Sequence, residues 1–74
     1  MSKRKYIHFL NDILKSSEKI LTLIKDKSFD EFVQDWVAID AIIRNLEIIG
    51  EAAKHLPTEL KKRYHYIEWK RLQG

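Results

Sequence analysis

The run from Asp35 to Leu56 limits most strongly what this chain can fold into, because it reads as one long helix that is apolar on most of its sides. Trp36, Val37, Ala38, Ile39, Ala41, Ile42, Ile43, Leu46, Ile48, Ile49, Ala52, Ala53 and Leu56 fill most of its circumference. The charged residues Asp40, Arg44, Glu47, Glu51 and Lys54 follow one another at steps of four, three, four and three. On a helix of about 3.6 residues per turn those steps make one narrow line. A helix that shows water a single stripe is buried on several sides. One partner helix from the same chain cannot cover it.

The flanking segments read as further helices. From Lys3 to Asp26, Tyr6, Phe9, Leu10, Ile13, Ile20 and Ile24 recur at helical spacing, with Ser17 on the same stripe and Leu14 and Leu21 widening it. A break follows at Lys25-Asp26-Lys27-Ser28. Ser28 with Glu31 three residues later is a capping-box signature, so a short helix starts there. It then bends or runs on into the long one. Pro57 ends the long helix and suits the first turn of another, Thr58 to Tyr64. The expected fold is all-α, an antiparallel helical hairpin or bundle, with residues 1–74 as one domain.

Composition removes several classes of function. Without cysteine there is no disulfide framework and no thiolate metal site. A reducing compartment fits, and the expected location is cytoplasmic. No uninterrupted apolar segment follows the basic start, so no signal peptide is read. No stretch of about eighteen apolar residues exists to span a membrane. His8, His55 and His65 stand in no metal-ligand spacing, and no glycine-rich phosphate loop or nucleophile elbow is present. No metal and no cofactor is expected.

Charge is segregated. Residues 1–27 carry seven Lys/Arg against three Asp/Glu, residues 28–60 two against seven, and residues 61–74 five against one. The basic ends suit a phosphate backbone or an acidic partner, or simply solvate helix faces. Tyr64, His65, Tyr66 and Trp69 are interleaved with Lys61, Lys62, Arg63, Lys70 and Arg71. Such a mixture stacks and neutralises single-stranded nucleic acid, or else Tyr66, Ile67 and Trp69 form a small core.

Three features of the long helix bear on function. Glu47 and Glu51, one turn apart, suit acid–base work or a divalent cation. Alternatively Asp40–Arg44, Arg44–Glu47 and Glu51–Lys54 form a structural ion-pair ladder. Asn45 lies off that line on the apolar side, where a polar amide needs partners and is expected to cap or bridge to a neighbouring helix. Gly50 costs about 1 kcal/mol relative to alanine in a helix interior. Close approach of another backbone, helped by Ala52 and Ala53, offsets that cost, or Gly50 is a tolerated defect.

The run Ala41-Ile42-Ile43-Arg44-Asn45-Leu46-Glu47-Ile48-Ile49-Gly50-Glu51-Ala52-Ala53-Lys54 resembles the signature helix of HepT-like proteins of the HEPN superfamily. Asp40 before it and Leu56-Pro57-x-Glu59-Leu60 after it resemble that family too. So do Tyr6-Ile7-x-Phe9-Leu10-x-Asp12-Ile13, Ser28-Phe29-x-Glu31-Phe32 and Ile67-x-Trp69, although the family often has proline where this chain has Glu68. The resemblance covers nearly all 74 residues.

It implies a ribonuclease toxin of a prokaryotic toxin–antitoxin pair of the type VII kind. The implied fold is an up-and-down helical bundle that dimerises. The implied activity is metal-independent RNA cleavage. The implied partner is a minimal nucleotidyltransferase antitoxin, which in some systems adenylylates a toxin tyrosine. The family's catalytic motif is an Arg, four to six residues and a His, on the helix directly after the Trp-containing segment. These 74 residues hold no such spacing. Three residues separate Arg4 from His8, ten separate Arg44 from His55, and one separates Arg63 from His65. No catalytic residue carries over. The chain reads as the N-terminal part of the HEPN fold, incomplete at its C-terminus and inactive alone. Asp40, Arg44, Asn45, Glu47 and Glu51 match the family pattern and would line or brace the groove where the Arg–His helix packs, with Gly50 and Ala53 as helix-packing positions. The alternative is a non-catalytic dimerisation or antitoxin-binding module.

Overall fold

A computed structural model describes residues 3–73, with side chains from Tyr6 to Gln73, so Gly74 and the side chain of Arg4 lie outside the described residues. Five helices follow in order: α1 Lys3–Ile24, α2 Phe29–Gln34, α3 Trp36–Lys54, α4 Thr58–Arg63 and α5 Trp69–Gln73. The fold is all-α, with no strand among the described residues. No helix among them is long and apolar enough to cross a membrane.

α1 and α3 pack as an antiparallel hairpin. Phe9, early in α1, stacks on His55, which caps the far end of α3, with ring centroids 4.6 Å apart. At the other end Lys27, just after α1, donates to Asp35, just before α3, at 2.8 Å. α1 has no proline or glycine to interrupt it. It stops at Ile24 because Asp26 takes a left-handed conformation, φ 61°, which a short polar side chain tolerates. The serine at the heart of α1's inward face is Ser16, 3% exposed, rather than Ser17. The inward line runs Phe9, Ile13, Ser16, Ile20, Leu23, half-buried apart from the buried Ser16, and the outer flank Leu10, Leu14, Leu21, Ile24 is left exposed. A small residue at that centre lets two helix backbones come close.

Two caps set the starts of α2 and α3. The Ser28 hydroxyl accepts from the Glu31 N–H at 3.1 Å and the Glu31 carboxylate accepts from the Ser28 N–H at 3.4 Å, which completes the capping box. Asp35, at φ −92° and ψ 79°, breaks the run and caps α3 by accepting from the Ala38 N–H at 3.0 Å. The break orphans the first N–H groups of α3, and the Asp35 carboxylate satisfies that of Ala38.

The hairpin measures 42 × 22 × 18 Å, a rod too thin to enclose much. Its core is Ala38, Ile49, Ala52, Ala53 and Leu56, and no large side chain among the described residues is fully buried. Trp36, Val37, Ile43 and Leu46 of α3 stay half or more exposed, as does Phe29. A compact monomer of 8.9 kDa exposes about 4,800 Å². This chain exposes 6162 Å².

The α2–α3 bend has a pH signature. The hydrogen bond from Lys27, and next that from the Ala38 N–H, hold the Asp35 carboxyl below its ordinary 3.8. A carboxyl lowered by folding stabilises the fold above its unfolded value, and that contribution is lost as pH falls through the lowered one. Asp35→Asn keeps an oxygen for Ala38 but cannot titrate. The urea midpoint of the parent chain should therefore fall more steeply than that of the variant as pH drops below 3.8. Parallel curves would show that the Asp35 charge adds nothing.

Candidate functional site

One side of α3 stays open beside α5. Ile43, Leu46, Glu47, Gly50, Glu51 and Lys54 form its floor, and Leu72 and Gln73 of α5 close one end. The floor residues recur at three- and four-residue steps, so they share a face. α5 is seated on small residues. A Cβ placed on Gly50 would sit 2.8 Å from the Leu72 carbonyl oxygen. Ala53 is completely buried, and the Gln73 side-chain amide donates to its carbonyl at 3.3 Å. That carbonyl lies in the last turn of α3, where intrahelical donors run out.

The charged line of α3 is not an ion-pair ladder. Glu51 pairs with Lys54 at 3.6 Å and also faces His55 Nε2 at 3.6 Å. Neither Asp40–Arg44 nor Arg44–Glu47 closes among the described residues. These side chains are exposed, and an exposed pair gains too little in water to fix two flexible side chains. Glu47 and Glu51 line the groove, whereas Asp40 and Arg44 stand on the exposed surface outside its lining.

Asn45 faces the other way. It is 7% exposed and lines a depression with Lys15, Glu18, Lys19, Thr22, Leu23 and Ala41. It does not bridge to a neighbouring helix, as expected from sequence. Its Nδ2 donates to the Ala41 carbonyl of its own helix at 2.8 Å, and its Oδ1 is buried with no partner among the described residues. A side-chain amide one turn from a carbonyl finds that local bond before a distant one.

The C-terminal aromatics do not form a small core. Tyr66 is 72% exposed and Ile67 37%. Only Trp69 is drawn inward, its indole N–H shared between the carbonyls of Lys61 and Tyr64 at 3.2 Å each.

Chemically, the groove offers two carboxylates, one ammonium and an apolar floor. His55 is held at its edge by Phe9 and Glu51. No three His, Asp or Glu residues converge among the described residues. Such a surface suits a helix that is apolar with cationic groups. Leu72 and Gln73 joined it without being singled out as site residues from sequence, whereas Lys54 was already read as part of the charged line. Ile43 and Leu46 were legible as floor residues from their spacing to Glu47 and Gly50.

Residues 13–74 match the model of the Ribonuclease HepT-like family. The chain belongs to this HepT-like family. It is 48% identical over 62 residues to a Methanocaldococcus jannaschii protein named as a gamma-glutamylcyclotransferase and candidate RNase, covering 84% of this chain and 28% of that one. Another M. jannaschii protein, named as a candidate RNase, is 41% identical over 70 residues, covering 95% of this chain and 58% of the relative. The Thermococcus cleftensis protein named "Probable ribonuclease HepT" is 36% identical over 70 residues, with 95% and 64% covered. The chain thus spans less than two thirds of the length of these HepT-like relatives. No solved structure matches it significantly.

The seat of α5 in this HepT-like chain gives a prediction whose sign opposes helix propensity. Alanine at Gly50 would raise helix stability by about 1 kcal/mol in an unobstructed helix. Here the methyl meets backbone rather than a flexible side-chain end, so Gly50→Ala should lower stability by about 1–3 kcal/mol. Urea unfolding followed by circular dichroism measures it. A gain in stability would mean that α5 does not sit on Gly50.

Proposed function

We propose that this chain supplies the helical wall of a HepT-type ribonuclease toxin and does not itself hold the residues that cut RNA. The observation that carries this reading is family membership over residues 13–74, with relatives named as ribonucleases. The groove supports it. Its floor is apolar, and its charged groups are two carboxylates against one ammonium, one carboxylate already engaged by Lys54. A bare groove of that charge repels a phosphate backbone. It accepts a cationic helix, which is the chemistry of the family's Arg–His segment.

The reaction would be in-line attack by a ribose 2′-hydroxyl. A histidine serves as acid or base, and an arginine faces the charge developing on the phosphate. No Arg and His of these 74 residues stand at the motif spacing. A toxin–antitoxin role in the cytoplasm, with a minimal nucleotidyltransferase as antitoxin, belongs to the same reading.

A second reading is a non-catalytic association module that pairs with itself or with the antitoxin. Its support is apolar surface: Phe29 at 77% exposed, Trp36 at 71% and Leu46 at 51%. Patches of that kind mark contact surfaces.

Incubating the 74 residues with labelled RNA, beside a longer relative that carries the Arg–His motif, tests the first reading. The relative should cleave and the 74 residues should not. Comparable cleavage by both would place the catalytic groups within this chain and end the proposal.

A further inference from the structure

We propose that Tyr64 and Tyr66 form a stacking platform for single-stranded RNA, on the turn between α4 and α5 and outside the groove. It rests on the ribonuclease reading only for the choice of RNA as the strand. The platform is built by hydrogen bonds of the backbone and of Trp69 that leave the two tyrosine rings exposed. The Trp69 indole N–H binds the carbonyls of Lys61 and Tyr64, folding the start of α5 back against the end of α4. The Ile67 N–H donates to the Tyr64 carbonyl at 3.0 Å and closes the turn between them. Trp69 thus holds the scaffold, and the two tyrosines project from it.

Tyr66 is 72% exposed and Tyr64 40%. Their ring centroids are 6.2 Å apart and their planes meet at 77°. His65, also exposed, meets Tyr66 edge-on at 6.4 Å. Perpendicular rings cannot intercalate into a continuous stack. They can each take one base from a strand whose bases are already splayed. Duplex bases are paired and inaccessible, so the geometry selects a single strand.

The charge around the rings has the matching sign. Residues 61–74 hold five cations and one carboxylate, Glu68, which pairs with Arg71 at 3.1 Å. Lys61, Lys62, Arg63 and Lys70 have no ion pair among the described residues. They flank the tyrosines in sequence on both sides, as a backbone passing over two bases requires.

The test is fluorescence anisotropy of this chain with a labelled 2′-O-methyl uridine oligomer, which offers bases and phosphates but cannot be cut through a 2′-hydroxyl. Wild-type chain should bind it with a log–log salt slope of about −2, from roughly three phosphates. Tyr66→Ala should weaken binding about tenfold, a loss of about 1.4 kcal/mol for one stacked base. Tyr66→Phe, which keeps the ring, should bind like wild type. Both positions are exposed, and equal melting curves for the variants confirm that the scaffold is intact. Absence of binding by wild-type chain, equal binding by Tyr66→Ala, or equal affinity for duplex RNA would each overturn the platform. Because no cleavage is scored, a longer relative that cuts RNA while this chain fails to bind would leave the ribonuclease reading standing. Binding without any cutting by relatives would do the reverse.

Discussion

The structure depends on an imbalance in α3, which is apolar around more of its circumference than the other four helices can cover. α1 takes one side, through Ala38, Ile49, Ala52 and Leu56. α5 takes a second, narrower one at Gly50 and Ala53. Both contacts lean on small residues, Ala38 and Ala52 in the first and Gly50 and Ala53 in the second, which bring backbones close but bury little area per residue. The result is a thin rod whose surface exceeds that of a compact chain of its mass by about 1,300 Å². That is more than the roughly 800 Å² each partner loses in a standard interface.

The imbalance leaves two surfaces open. The uncovered side of α3 beside α5 is the groove, and the outer flank of α1 with Phe29 and Trp36 is further apolar surface. Polar residues placed where they cost stability fit the same pattern. Asn45 leaves a buried oxygen without a partner among the described residues, and a buried acceptor in that state is unfavourable by about 1–3 kcal/mol. An apolar residue would serve the α1–α3 seam better, so its place there is not explained by packing in this chain.

What was legible in the sequence was local or periodic. Ser28 and Glu31 announce their capping box because both partners lie within one turn. Gly50 is legible because a mid-helix glycine is costly unless something lies against it, and Leu72 does. What was not legible depends on rotation or on competition with water. Ser16 rather than Ser17 faces inward because adjacent residues differ by only about 100° around the helix, and a wide apolar arc does not fix its own centre. The ladder of Asp40, Arg44 and Glu47 fails because spacing permits a pair without making it worth forming. Tyr66, Ile67 and Trp69 read as a small core or a nucleic-acid surface, and Trp69 alone is drawn inward, because its indole N–H fits between the carbonyls of Lys61 and Tyr64.

The most direct test of this account is the mass of the purified 74 residues by light scattering across a dilution series. If the uncovered sides of α3 and α1 are contact surfaces, the mass should exceed the 8.9 kDa of one chain and approach it only on dilution. A concentration-independent 8.9 kDa particle that melts cooperatively would contradict it, because the apolar surface would then be stable in water with nothing to cover it.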